Sequence, residues 1–109
     1  MNWKTLASME DWKMAYERSK TAPVVIFKHS TRCSVSRMAL RLTEQRWDLP
    51  EKIEAFLLDL LIHRDVSDAI ASDLKLQHQS PQLIYLVNGK VVHHANHSGI
   101  DPVDLKTYL

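Results

Sequence analysis

The 109-residue sequence contains a single cysteine, Cys33, so no disulfide can form within the chain and oxidative stapling has no part in the stability of a monomer. A surplus of either charge is missing too: 14 basic against 13 acidic residues leave a formal charge of +1. No basic run or aromatic-interleaved stripe is present, which excludes the usual electrostatic footprint of a nucleic-acid-binding protein. Apolar stretches such as Phe56 to Leu58 and Leu60 to Ile62 fall far short of the roughly 20 residues that span a bilayer. Met1 to Tyr16 carries Glu10 and Asp11 where a signal peptide has an unbroken apolar core. Together these absences predict a soluble, cytoplasmic protein with neither nucleic acid nor membrane as a partner.

What is present fits one compact domain over residues 1–109, with 45% hydrophobic residues to build one core. Ser8-Met9-Glu10-Asp11 resembles a capping box, weakened by Asp in place of Glu or Gln, and starts a helix that runs to about Ser19. Met9, Trp12 and Tyr16 form a stripe on it that reads as core packing. Val24-Val25-Ile26-Phe27, after Pro23, reads as a strand buried on both faces. A polar stretch, Lys28 to Arg32, then leads into Cys33, and Val35, Met38, Ala39 and Leu42 follow at helical spacing. Cys33 therefore opens a helix. Ile53 to Leu60 is expected as a second buried strand, although its composition also suits a helix. Asp65 to Leu74 is expected as a helix, with Asp65 as cap or dipole partner. Leu83–Val87 and Val91–Ala95 flank Asn88-Gly89, a hairpin turn pair. Asp101-Pro102 begins a closing helix whose Val103 and Leu105 to Leu109 can cover the sheet.

This order requires a parallel strand pair with a right-handed crossover, extended by an antiparallel hairpin. The predicted fold class is α/β: a thioredoxin-like fold with a central four-stranded mixed sheet flanked by helices on both faces.

A lone cysteine is most often a small buried hydrophobe. Cys33, however, sits just after a strand and at a helix start, where backbone N–H groups and the helix dipole stabilise negative charge. Lys28, His29, Arg32 and Arg37 stand close in sequence and either favour the thiolate or are simply solvated charges. In Cys33-Ser34-Val35-Ser36 a serine holds the place of the resolving thiol of a Cys-x-x-Cys pair. A monothiol can enter a mixed disulfide but needs an outside thiol to leave it. Ser36, one turn along, is placed to donate a hydrogen bond to the thiolate or to bond back to its own helix. Ser80-Pro81 precedes the hairpin. In this topology such a proline is expected to be cis and to face the cysteine, leaving the Ser80 backbone to pair with an extended substrate; an ordinary strand-entry proline is the alternative. His93 and His94 are neighbours on a strand and point to opposite faces, so no metal site is expected. Trp3, Trp12 and Trp47 are expected to pack rather than to recognise a ligand.

Phe27-Lys28-His29-Ser30-Thr31-Arg32-Cys33, Ser36, His78-Gln79-Ser80-Pro81-Gln82, Asn88-Gly89-Lys90, and Ala95-Asn96-His97 with Ile100 resemble the YtxJ-like monothiol bacilliredoxins of the bacillithiol system. The resemblance covers nearly the whole chain, with the first and third segments the most specific. Ser34 departs from the proline that commonly follows the family's cysteine, and Asn96 from a more usual serine. The Cys-Gly-Phe-Ser signature of cluster-carrying monothiol glutaredoxins is absent. The resemblance implies a thioredoxin-like fold and thiol–disulfide exchange in which Cys33 removes bacillithiol from bacillithiolated client proteins. Ser36 would be the thiolate partner, Ser80 and Pro81 the docking backbone, and Lys28, His29 and Arg32 the charge around the substrate, whose carboxylates suit a cationic rim. Bacillithiol would serve as co-substrate, with no metal, in a monomer or a weak dimer. Two other readings remain: a redox-inactive binding module using the Ser80-Pro81 groove, and a protein of the same chemistry that uses glutathione.

Overall fold

A computed structural model describes residues 1–109. The chain runs β1 (Trp3–Thr5), α1 (Met9–Arg18), β2 (Val24–His29), α2 (Ser34–Arg46), β3 (Glu54–Asp59), α3 (Arg64–Leu74), β4 (Gln82–Val87) and β5 (Lys90–Asn96), and ends in a 3₁₀ stretch, Pro102–Tyr108. The sheet has five strands in the order β1-β3-β2-β4-β5. β2 is parallel to β3 and antiparallel to β4, so the expected mixed core of four strands is present. The fifth, β1, pairs parallel with β3. It is three residues long and mostly exposed, too short for any alternation to mark it in advance.

β2 is central because all six of its residues are buried. Strand residues alternate between faces. Val24 and Ile26 join Trp12, Leu58, Ile70 and Ile84 in a core beneath α1 and α3, while Val25 and Phe27 join Ala39, Leu83, Tyr85 and Leu105 in a second core beneath α2. The sheet thus divides the expected single core in two. The expected strand over Ile53–Leu60 is β3, Glu54–Asp59, which lies between two parallel neighbours and buries Ala55, Phe56 and Leu58.

Ser8 caps α1 by accepting from the Asp11 N–H at 3.1 Å. The Asp11 carboxylate reaches back to the Ala7 N–H at 2.9 Å, one residue beyond the Ser8 N–H that a full capping box bonds. Trp12 and Ala15 form the buried face, and Met9 is exposed, so the stripe is narrower than its spacing predicts. Asp65 lies in the first turn of α3 rather than at its cap, which is His63.

At the hairpin, Asn88 and Gly89 both have positive φ, 54° and 73°, the twist a two-residue turn needs. Gly89 also passes within reach of α1: an added Cβ would lie 2.8 Å from the Tyr16 hydroxyl oxygen. The closing segment is 3₁₀ rather than α-helical. Asp101 accepts from the Val103 N–H and Pro102 opens the first turn, but only Pro102 and Leu105 are buried, with Val103 and Leu109 exposed.

No helix is long and apolar enough to cross a membrane. Trp3 packs edge-on against Phe27 and beside Trp47, and Trp12 against Tyr16.

Candidate active site around Cys33

β2 ends at His29, whose carbonyl accepts from the Leu60 N–H at 3.0 Å. The chain turns through Ser30–Arg32 and enters α2 at Cys33, the helix N-cap, with extended backbone (φ −103°, ψ 123°). Its N–H donates to the Ser30 carbonyl at 3.1 Å and its carbonyl accepts from the Arg37 N–H at 3.0 Å, closing the first turn. The side chain makes no capping hydrogen bond. Cys33 is half-buried and free, a thiol held at the end of a 13-residue helix that has no acidic residue in its first turn.

Ser36 is fully buried. Its Oγ accepts from the Ser30 N–H at 3.0 Å and shares a 2.7 Å hydrogen bond with His29 Nδ1. The hydroxyl has one proton, so Ser36 either donates it to Nδ1 or accepts from an Nδ1–H. No hydrogen bond joins Ser36 to Cys33, so the expected contact with the sulfur is not made. Ser36 instead ties the end of β2 and the start of the loop to the helix that carries the thiol. His29 is buried, and burial lowers its pKa, with Arg37 adding to the effect and Asp59 and Glu44 opposing it; the ring sits in the site as a neutral group.

Lys28 departs furthest from expectation. It follows the strand alternation, so its side chain leaves β2 on the face opposite His29 and α2. Fully buried, its Nζ donates to the Ser67 carbonyl at 3.0 Å and to His78 Nδ1 at 3.2 Å. It is therefore no part of a cationic rim and cannot touch a substrate. The exposed rim is made by Arg32 and Arg37, the latter donating to the Thr31 carbonyl at 3.1 Å.

Burial lowers the pKa of Lys28 from 10.5 to about 8, with Asp68 opposing the shift and Arg64 adding to it. Between those values the unfolded chain holds the proton that the folded chain has lost, so stability rises with pH across that window. The unfolding free energy of the wild type relative to Lys28→Met should climb above pH 8 by about 1.4 kcal/mol per pH unit. Urea titrations from pH 7 to pH 9.5 read this directly, and a flat difference would show that the ammonium is not desolvated.

The β2–β4 register pairs Lys28 with Gln82, so Ser80 and Pro81 lie alongside the end of β2 from which the loop reaches Cys33. The Ser80–Pro81 peptide is cis. The Pro81 carbonyl accepts from the His97 N–H at 3.1 Å, whereas the Ser80 main chain has no hydrogen-bond partner in the chain. The Ser80 hydroxyl is buried without a partner.

On α2 the buried positions are Ser36, Ala39 and Thr43, and Val35, Met38 and Leu42 are exposed. Leu40 is the larger apolar side chain of the helix that packs against the core beneath it. Val35, Met38 and Leu42 line a shallow groove with His97, Ser98 and Ile100, on the helix that Cys33 begins. No group of three or more His, Cys, Asp or Glu side chains converges anywhere in the chain.

With this geometry, a model of the family described as monothiol bacilliredoxin BrxC matches residues 4–105. The chain belongs to the monothiol bacilliredoxin family. A solved structure described as having a thioredoxin fold is 31% identical, with a TM-score of 0.80 over 94% of this chain and 89% of the other. Thioredoxins from Malassezia sympodialis (20% identity, TM-score 0.71, 98% and 87% covered) and Fasciola hepatica (15%, 0.71, 96% and 94%) share the fold. The bacilliredoxin therefore has the thioredoxin fold and a thiol–disulfide redox role, and Cys33 is its one sulfur able to serve it. Ser67 and the buried contacts of His78 were not foreseen, because no local spacing links residues 28, 67 and 78.

Proposed function

We propose that this bacilliredoxin removes bacillithiol from mixed disulfides on client proteins in the cytoplasm. The carrying observation is a single accessible thiol at a helix start, in a chain matching the monothiol bacilliredoxin family, with a serine at the resolving position. The Cys33 thiolate attacks the bacillithiol sulfur of the mixed disulfide. The client leaves as a thiolate and takes up a proton, and bacillithiol stays on Cys33. No second thiol stands in the chain to expel it, so an external bacillithiol thiolate attacks next, leaves as bacillithiol disulfide and restores Cys33. The unpaired Ser80 main chain supports docking of the client's extended backbone, the apolar groove beside α2 its side chains, and Arg32 and Arg37 the carboxylates of bacillithiol.

Intact mass after mixing the reduced protein with bacillithiol disulfide, and separately with glutathione disulfide, tests this. A rapid gain of one bacillithiol, absent in Cys33→Ser and reversed by added bacillithiol, is expected. Equal uptake of glutathione would transfer the chemistry to that thiol. No adduct from either reagent would leave a redox-inactive binding module as the better account.

A further inference from the structure

Beneath the segment that carries Ser80 and Pro81 lies a buried polar cluster that the exchange steps do not use. Lys28 and Gln82 are register partners on adjacent strands and both are fully buried. Directly paired residues share a face of the sheet, here the face away from α2. Each holds one residue of the incoming loop: Lys28 Nζ bonds His78 Nδ1 at 3.2 Å, and Gln82 Nε2 donates to the Gln77 carbonyl at 3.1 Å. Ser67 closes the cluster from α3, its carbonyl accepting from Lys28 and its hydroxyl lying 3.2 Å from His78 Nδ1.

An ammonium has donors only, so Nδ1 of His78 is the acceptor and the ring is neutral. Burial, Lys28 and Arg64 all push its pKa down against Asp68, in keeping with that assignment. A buried ammonium is an expensive way to hold a loop, because well-packed apolar side chains usually serve stability as well or better. What an apolar side chain at position 28 cannot do is fix His78 by a directional bond.

We infer that Lys28 is a positioning residue for substrate docking: with Gln82 it pins residues 77 and 78, and so sets the path of Ser80, whose unpaired main chain receives the client backbone. This rests on the docking role proposed for Ser80. Lys28 faces away from α2, so it acts on docking and leaves the reactivity of Cys33 alone.

The test compares Lys28→Met, His78→Leu and His78→Gln with the wild type, the last retaining an acceptor in the side chain. Backbone ¹⁵N order parameters at residues 77–80 read the loop. Steady-state transfer from a bacillithiolated single-cysteine protein reads docking, and reaction with bacillithiol disulfide reads the thiol. Lys28→Met and His78→Leu should lower the order parameters in that segment from about 0.85 to below about 0.6 and raise KM for the protein substrate about tenfold. The kcat and the small-disulfide reaction should stay within about twofold, as expected when only ground-state and transition-state binding are lost together, and His78→Gln should restore most of both effects. Unchanged order parameters over residues 77–80, or equal slowing with small and protein substrates, overturns the inference while the proposed function stands. A wild-type protein that takes no adduct overturns the proposed function and the docking role with it.

Discussion

Ser36→Cys is expected to oxidise within the chain, to a disulfide between Cys33 and the introduced thiol, and so to turn a one-thiol site into a two-thiol one. Cys33 is the N-cap and Ser36 the third residue of α2, the spacing at which a cap side chain and the third helical residue meet. With bacillithiol disulfide as oxidant, the wild type stops at the mixed disulfide because nothing in the chain can expel the adduct. In Ser36→Cys the introduced thiolate attacks the Cys33 sulfur, bacillithiol leaves as a thiol, and the protein ends without an adduct and two hydrogens lighter. Intact mass distinguishes the two products in one measurement. An adduct that persists on the variant as it does on the wild type would mean that the pocket around position 36 keeps the two sulfurs apart. The reduced variant should also lose about 1 kcal/mol of stability, since a thiol accepts weakly from the Ser30 N–H.

The place of Cys33 at a helix start was legible because one local pattern carries it: a β-branched run, a polar loop, then helical spacing. The Ser80–Pro81 pair was legible for the same reason, lying just ahead of a hairpin that Asn88-Gly89 marks. What lay hidden was direction. Val24 to Phe27 are apolar at every position, so their pattern has no alternation from which the faces taken by Lys28 and His29 follow. On α2 the helical spacing groups Val35, Met38 and Leu42 with Ala39, yet of these only Ala39 is buried, together with Ser36 and Thr43. Ser36 and Thr43 can be buried because their hydroxyls are hydrogen-bonded, Ser36 to Ser30 and His29 and Thr43 to the Ala39 carbonyl, and hydrophobicity alone does not express those bonds. The Lys28–Ser67–His78 contacts come from β2, α3 and the loop before β4, and only the packed fold brings those segments together.

The role of Ser36 as a scaffold rather than a thiolate partner makes a strong stability claim. Ser36→Ala removes the acceptor of the Ser30 N–H and the partner of His29 Nδ1 at once, and His29 is 6% exposed. A buried polar group left unpaired costs about 1–3 kcal/mol. Water can reach Ser30, which is only half-buried, so the combined loss should be about 3 kcal/mol rather than the upper sum. His29→Leu is milder, because the Ser36 hydroxyl keeps its bond from Ser30. The double variant decides the matter: with His29 replaced, Ser36→Ala strands only one group, and the two losses should fall short of additive by about 1–2 kcal/mol. Urea denaturation of the four proteins at pH 7 gives that coupling. Strict additivity would show that His29 and Ser36 are energetically independent, leaving the Ser30 N–H bond as the main tie between the loop and α2. A coupled result would show that the end of β2, the loop and the first turn of α2 are held as one unit, which fixes Cys33 in place without any bond to its sulfur.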